Sequence, residues 1–182
     1  MKFLKTAFDD VLLIEPRVFS DDRGVFFETY HREFFRKNGI AVDFVQDNHS
    51  VSAKGVLRGL HYQAPPRAQA KLVRVVRGEA FDVVVDLRKN SKTFGRSACE
   101  ILSAKNRRML FIPPGFAHGF LSLGEGTELL YKVSDVYSPE HERGLLWSDP
   151  ALAIPWPKTG AGFVISEKDK KYPVLAQAEK VF

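Results

Sequence analysis

The sequence has little of several features that would by themselves define a class of protein. Its 182 residues contain one cysteine, Cys99, so no disulfide can form within the chain, and a reducing compartment fits. No apolar run approaches the roughly 20 residues of a membrane-spanning helix. Charged residues, Lys5, Asp9 and Asp10, interrupt the opening stretch MKFLKTAFDD. We therefore expect a soluble, cytoplasmic protein with no membrane partner.

The excess of positive charge is small. The chain has 27 Lys and Arg against 22 Asp and Glu, a formal net charge of +5. This balance favours an anionic partner. Because the basic residues are scattered rather than clustered, we expect no nucleic-acid partner.

What the sequence does have is enough apolar residues, 45% of the total, for one domain over residues 1–182. The apolar residues alternate with polar ones in short runs, as strands require. In AFDVVVDL, for example, Phe81, Val83, Val85 and Leu87 fall on one face. This run and the preceding KLVRVV, joined by Arg-Gly-Glu, are predicted to form a β-hairpin.

Similar runs recur at close spacing along the chain. They are VLLIEP, GVFFETY, SACEILS, RMLFIPP and ELLYKVS, and turn signals separate them at SDDRG, RKNSKTFG, SAKNRR and LGEG. Many short strands predict an all-β sandwich or barrel, a class that includes jelly rolls. HREFFRKNG predicts a short helix ending at Gly39, and SEKDKKYPVLAQAEK a second one. SDPALAIPWP is interpreted as a loop over the barrel surface.

Two histidines stand in patterned surroundings. The first is His61 in GLHYQ, and Gln63 shares its strand face; the second is His118 in FIPPGFAHGF. Gly-x5-His-x-Gln followed by Pro-x-Gly-x2-His is similar to the two-part motif of the cupins, small jelly-roll barrels. Two imidazoles and an amide make a poor divalent metal site, so we expect no metal. From these residues alone, a structural role for His61 stays open.

Six motifs, taken together in their order along the chain, are more specific than the two histidine motifs. FSDDRGVFFETYH, QDNHSVSAKGVLRGLHYQ, LVRVVRGEAFDVVVDLRKNSKTFG, FIPPGFAHGF, YKVSDVYSPEHERGLLWSDP and ISEKD together resemble the dTDP-4-dehydrorhamnose 3,5-epimerases, from about Phe8 to Leu175. The resemblance implies a cupin-type jelly-roll domain with a few short helices, and a homodimer.

It also implies an isomerase that epimerises C3 and C5 of dTDP-4-dehydro-6-deoxy-D-glucose to give dTDP-4-dehydro-L-rhamnose, in dTDP-L-rhamnose biosynthesis. The C4 ketone acidifies both C–H bonds, so a base, an acid and a donor to the enolate suffice, without a cofactor. By resemblance, His61 is the base, Asp169 its partner, Lys71 the donor to the enolate oxygen and Tyr131 the acid. Without the resemblance, Asp169 is an ordinary solvated charge, Lys71 a strand lysine and Tyr131 a packed strand residue.

The remaining implied residues bind the substrate. Arg23 and Arg58 match contacts to the diphosphate, which a guanidinium can grip through two oxygens. Phe26 and Glu28 match a platform for thymine, although Phe26 could equally be a core residue of a half-buried strand. The other implied positions are Gln46, Asn48, His118 and Tyr137, the last shaping how the sugar ring turns between the two epimerisations.

Three alternatives remain open. A metal-dependent cupin oxygenase would need ligands that this sequence lacks. A sugar-nucleotide binding module would keep Arg23, Arg58 and Phe26. It could dispense with His61, Tyr131 and Asp169, all of which are present. Related dTDP-4-keto-sugar epimerases that act at C3 or C5 alone would keep the same motifs.

Overall fold

The computed structural model describes residues 1–160 and 162–182, and strands account for most of its regular structure. The strands are β1 (Lys2–Lys5), β2 (Leu12–Glu15), β3 (Val18–Asp21), β4 (Gly24–Phe27), β5 (Gln46–Ser52), β6 (Val56–Gln63), β7 (Lys71–Arg77), β8 (Glu79–Asp86), β9 (Ser97–Ser103), β10 (Met109–Ile112), β11 (Phe116–Ser122), β12 (Thr127–Val133), β13 (Glu142–Gly144) and β14 (Val164–Ile165). The helices are α1 (Arg32–Lys37) and two single 3₁₀ turns, Pro139–His141 and Asp169–Lys171.

The strands form two large sheets and one separate hairpin. The first sheet has the order β1-β2-β10-β7-β12-β5, and the second has the order β13-β6-β11-β8-β9, with β14 parallel to β6. The hairpin consists of β3 and β4, joined at the predicted SDDRG turn. All other pairings are antiparallel. This architecture is the predicted all-β jelly-roll barrel.

The core lies between the two sheets, because alternate side chains of each strand point inward. Leu13, Val73 and Leu110 of the first sheet pack there against Val84 and Phe120 of the second, and all five are buried. Polar groups on this inward face are therefore exceptions that need partners. Lys71, Asp82 and His118 are such polar residues on the inward face, and all three are buried.

The outer face of the second sheet is covered by the C-terminal part of the chain. Phe81, Val83, Val85 and Leu87 do share this face, as predicted, and they pack with Leu152 and residues of the tail. The SDPALAIPWP segment is the loop that crosses this surface. The covering segment also carries the residues around position 169 onto strand β6.

Helix α1 covers the outer face of the first sheet and confirms the helix predicted in HREFFRKNG. His31 caps it, since the His31 side chain accepts a hydrogen bond from the Phe34 N–H at 3.3 Å. Gly39, with a φ of +88°, follows its end. Phe35 is buried among outer-face residues of the sheet such as Ile14.

The predicted hairpin of KLVRVV and AFDVVVDL is wrong. β7 pairs with β10 and β12, whereas β8 pairs with β9 and β11 in the other sheet. The residues between them form a corner from one sheet to the other. Gly78 takes a φ of +74° there, and a Cβ on it would lie 2.6 Å from Thr127 Oγ1. A tight turn at a glycine can form either a hairpin or a corner between two sheets. The local sequence therefore could not show which of the two β7 and β8 form.

The predicted helix in SEKDKKYPVLAQAEK is also wrong, apart from the single turn Asp169–Lys171. Pro173 disfavours helical backbone at the residue before it and has no N–H to donate. The residues after it form turns instead. Among the described residues, no helix has the length and apolar character needed to cross a membrane.

Candidate active site

A cavity of about 710 Å³ is bounded by both sheets and by three connecting segments, which contribute Gln69, Tyr137 and the residues around Ser166. Strands β5, β7 and β12 of the first sheet contribute to its lining, as do β6 and β11 of the second. Of the residues predicted for the site, it brings together Gln46, Asn48, Arg58, His61, Lys71, His118, Tyr131, Tyr137 and Asp169. A cavity of this size fits a small organic ligand.

His61 and Asp169 form a hydrogen-bonded pair, although 108 residues separate them. The Nε2 atom of His61 lies 2.8 Å from Oδ1 of Asp169. The other oxygen, Oδ2, accepts a hydrogen bond from the Gly59 N–H at 3.1 Å. Because a carboxylate only accepts, His61 carries its proton on Nε2 and leaves the lone pair on Nδ1. The pair therefore has the geometry of an oriented imidazole base.

Asp169 is buried, which by itself would raise its pKa. The hydrogen bonds from His61, Gly59 and Ser166 outweigh burial and hold the pKa below its usual value. Asp169 is therefore a carboxylate at neutral pH.

The backbone around His61 is shaped by two glycines. His61 and His118 are direct partners across strands β6 and β11. Next to them, a Cβ on Gly59 would lie 2.6 Å from Gly119 Cα, and Gly59 has a φ of +138°. This close approach leaves no room for a side chain at Gly59, the residue whose N–H donates to Asp169.

Lys71 is buried at the cavity wall on the sheet opposite His61. Its Nζ donates a hydrogen bond to the backbone oxygen of His61 at 3.1 Å. Burial lowers the pKa of Lys71 to about 8, despite the nearby charges of Asp82 and Glu142. The cation is thus poorly solvated and available to a developing negative charge.

Tyr131 lies on β12, in the first sheet, and lines the same cavity. Burial raises the pKa of its phenol. A phenol of this kind stays protonated at neutral pH and can act as a proton donor. Tyr131 and His61 thus belong to opposite sheets of the barrel.

His118 is held by a second carboxylate. Its Nε2 lies 2.9 and 3.0 Å from the two oxygens of Asp82, which is fully buried. His118 lines the cavity across from His61, and Asp82 lies behind it in the interior. It is a polar exception on the inward face of β8, between Ala80 and Val84.

The predicted polar contacts line the cavity from both sheets, Gln46 and Asn48 from β5 and Arg58 from β6. Gln46 donates to the side chain of Asn48 at 2.9 Å and accepts from the Tyr137 N–H at 2.9 Å. Arg58 donates to Ser52 Oγ at 3.1 Å, and its guanidinium remains largely exposed. An exposed, fixed guanidinium at a cavity is suited to bind phosphate oxygens.

Three predicted residues lie outside this cavity. Arg23, Phe26 and Glu28 are exposed on or next to the β3–β4 hairpin and are not among the cavity-lining residues. Phe26 is 70% exposed, which excludes a core position within this chain. Arg23 pairs with Asp21, its neighbour in the turn.

Several further groups at or behind the cavity wall were not predicted from the sequence. Glu142 accepts from the Tyr137 hydroxyl at 2.7 Å and is paired with Lys168. Tyr172 packs edge-on against His61, with ring centroids 5.7 Å apart. Asp82 could have been found, since it interrupts an apolar strand face; nothing local marks the others.

The comparisons with known proteins agree with one another. The sequence model of the dTDP-4-dehydrorhamnose 3,5-epimerase family matches residues 5–177. The dTDP-4-dehydrorhamnose 3,5-epimerase of Pseudomonas aeruginosa is 55% identical over 180 residues, 98% of each protein. These matches extend over nearly the whole chain.

Solved structures give the same result. The dTDP-6-deoxy-D-glucose-3,5-epimerase of Legionella pneumophila, in complex with dTDP-4-keto-L-rhamnose, superimposes with a TM-score of 0.94 at 44% identity, covering 98% of this chain and 94% of that one. A 3'-monoepimerase of Streptomyces bikiniensis, in complex with dTDP-quinovose, gives a TM-score of 0.90 at 36% identity, covering 99% and 90%. The chain belongs to the dTDP-4-dehydrorhamnose 3,5-epimerase family.

Proposed function

We propose that the protein epimerises C3 and C5 of dTDP-4-dehydro-6-deoxy-D-glucose to give dTDP-4-dehydro-L-rhamnose, in dTDP-L-rhamnose biosynthesis. One observation carries the proposal. An oriented imidazole, His61 with Asp169, and a protonated phenol, Tyr131, line one cavity from opposite sheets. Inversion at a carbon requires a base and an acid on opposite faces of the substrate, and this arrangement supplies them.

In the proposed reaction, Nδ1 of His61 removes the proton next to the C4 ketone. Asp169 stabilises the imidazolium that forms and keeps the ring oriented. The electron pair of the broken C–H bond moves onto the ketone oxygen as an enolate. Tyr131 then returns a proton to the other face of the same carbon, so that the configuration inverts.

Lys71 is the proposed donor to the enolate oxygen. Its ammonium group is buried and already fixed by one hydrogen bond, to the His61 backbone oxygen. A preorganised cation in a poorly solvated site stabilises developing charge more than an exposed one does. Arg58 is the proposed contact of this chain to the diphosphate.

This role predicts an alkaline limit on activity. Lys71 must be protonated to serve the enolate, and its pKa is lowered to about 8 by burial. Raising the pH through about 8 removes the charge, so kcat/KM should fall there, well below the ordinary lysine range near 10.4. A pH profile of kcat/KM measures this. A rate that is level from pH 7 to 10 would contradict a required Lys71 cation.

We further propose that the protein is a homodimer in which the β3–β4 hairpin of one chain completes the site of its partner. Val18, Phe19, Val25 and Phe26 leave the hairpin with an exposed apolar surface. A two-stranded ribbon is marginally stable alone and needs something to pack against. Arg23, Phe26 and Glu28 would then reach the nucleotide of the partner's cavity.

Light scattering should give twice the chain mass of 20.6 kDa at micromolar concentration. Phe26→Ala should weaken nucleotide binding although Phe26 lies outside the cavity of its own chain. Ile101→Ala, at an exposed apolar side chain on β9 that is not among the cavity-lining residues, is the control. A monomer with full activity would overturn the proposed assembly.

We propose that the protein acts in the cytoplasm and that residues 1–182 form one cupin-like domain. The proposed chemistry needs no cofactor.

Reaction of the wild type in D2O tests the function, because protons lost to His61 and regained from Tyr131 exchange with solvent. NMR of the product should show deuterium at both C3 and C5, with both centres inverted. The absence of label at either position would overturn the proposed function.

A second candidate is epimerisation at one centre only. It is favoured by the structural likeness to the 3'-monoepimerase, which has a TM-score of 0.90. The same experiment separates the two, since a 3-epimerase would label and invert C3 alone.

A further inference from the structure

Gln63 lies two residues beyond His61 on β6 and is 4% exposed. Its carboxamide makes three hydrogen bonds to backbone groups. Nε2 donates to the Arg67 oxygen at 2.7 Å and to the Val136 oxygen at 3.3 Å, and Oε1 accepts from the Ser138 N–H at 2.7 Å. Its amide group is therefore engaged in holding main chain at the cavity wall.

A second carboxamide holds the same piece of chain from the other sheet. Gln46, on β5, accepts a hydrogen bond from the Tyr137 N–H at 2.9 Å. The consecutive N–H groups of Tyr137 and Ser138 thus donate to glutamines of different sheets. We call residues 136–138 the Tyr137 segment.

The Tyr137 segment has little burial of its own to fix it. Val136 is 45% exposed and Tyr137 is 52% exposed. The Tyr137 hydroxyl donates to Glu142, which also pairs with Lys168. A segment without apolar burial opens easily unless polar contacts hold it. Locally, the Val136 N–H donates to Asp135 and the Ser138 oxygen accepts from the His141 N–H. The two glutamines supply the contacts that tie its backbone to the sheets.

We propose that Gln63 is a positioning residue that, together with Gln46, fixes the Tyr137 ring at the cavity. The functional part of this inference rests on the proposed epimerase activity. Gln63 acts through the backbone of the Tyr137 segment and does not touch the reacting atoms. Gln63, two residues after the proposed base His61 on β6, thus positions an aromatic ring that lies 74 residues further along the chain.

A double-mutant cycle tests this. Removing the carboxamide in Gln63→Leu leaves three backbone groups unpaired and frees the segment. Since a misplacement of about 1 Å can lower rates by about 10²-fold, we expect kcat/KM to fall by about 10- to 100-fold. Tyr137→Ala should lower kcat/KM by at least as much. In the Tyr137→Ala background, Gln63→Leu should then lower it by less than about threefold, because residues that act through one another are not additive.

The proposal would be overturned if Gln63→Leu lowered kcat/KM as much in the Tyr137→Ala background as it does in the wild type. It would also be overturned if kcat/KM were unchanged in either single variant. Asn106→Ala is the matched control. The Asn106 carboxamide likewise makes three backbone hydrogen bonds, to Ser103, Arg108 and Ile101, but in the turn between β9 and β10. It should change kcat/KM by less than about twofold and combine additively with Tyr137→Ala. A loss like that of Gln63→Leu would show a general effect of stability instead.

Hydrogen exchange measured by NMR, without substrate, tests the positioning apart from the activity. Gln63→Leu should speed exchange of the Ser138 amide by about tenfold or more, while Gln63→Glu, which keeps the acceptor, should speed it less. If the Leu variant does not fold, Gln63→Glu still loses both donated bonds and should speed exchange of the Tyr137 amide. Unchanged exchange in the folded variants would overturn the proposal. Lack of epimerase activity in the wild type would overturn the proposed function and leave the exchange result standing.

Discussion

His61→Asn should lower turnover by about 10²- to 10⁴-fold or more, the usual scale for removing a general base. The fold and the affinity for the nucleotide should stay close to those of the wild type, because an asparagine fits the strand and His61 does not contact the proposed nucleotide site. Exchange of substrate protons with D2O should fall with turnover. Single-turnover kinetics and NMR of the substrate measure both quantities.

His49→Asn is the matched control for this variant. His49 lies on β5, pairs with Glu128 and is not among the cavity-lining residues, so its loss should leave turnover unchanged. Asp169→Asn should give a smaller loss than His61→Asn, since the base remains but loses its charged partner. Near wild-type turnover in a folded His61→Asn protein would reduce His61 to a structural residue.

Tyr131→Phe should separate proton exchange from inversion. The variant keeps the ring but removes the phenolic proton, while His61 and Asp169 can still remove the substrate proton and return it on the same face. Substrate recovered from D2O should therefore carry deuterium with retained configuration, especially at C5. Epimerisation should fall by about 10²-fold or more while exchange continues.

Tyr30→Phe is the control for Tyr131→Phe. Tyr30 packs with α1 on the outer face of the first sheet, and losing its hydroxyl should affect neither exchange nor inversion. Undiminished inversion in Tyr131→Phe would mean that water or Tyr137 supplies the proton. Loss of exchange and inversion together would mean that Tyr131 is needed before the proton is removed.

The strands of the barrel were predictable because each carries its own signal. Alternation placed Phe81, Val83 and Val85 on one face, and the structure covers that face with the C-terminal chain. Strand partners carry no such signal. The same local pattern serves a hairpin or a corner between sheets, and β7 and β8 form the corner because their partners lie elsewhere in the chain.

Only part of the site was predictable from the pattern of residues along the chain. Alternation alone put His61 and Gln63 on one side of β6, and both line the cavity. Asp169 could not be predicted in this way. Its surroundings in sequence are lysines, yet it is 4% exposed against His61, and only the resemblance pointed to this pair. Contacts across 108 residues depend on how the tail returns to the barrel.

The uses of Gln63 and Glu142 could not be predicted from their neighbours either. Each gains its contacts from a loop that is fixed only when the barrel closes. Arg23, Phe26 and Glu28 are the opposite case, since the resemblance predicts a role that their positions in one chain do not meet. The proposed homodimer accounts for that difference.

The most direct test of the proposed mechanism is a crystal structure of His61→Asn with dTDP-4-dehydro-6-deoxy-D-glucose bound. The slow variant should retain its substrate. We expect the side chain at position 61 and the Tyr131 hydroxyl to face C5 from opposite sides of the sugar ring, with Lys71 Nζ within hydrogen-bond distance of the C4 oxygen. The mechanism would be contradicted if the side chain at position 61 and Tyr131 lay on the same side of the sugar ring. It would also be contradicted if C3 and C5 of the sugar were turned away from position 61.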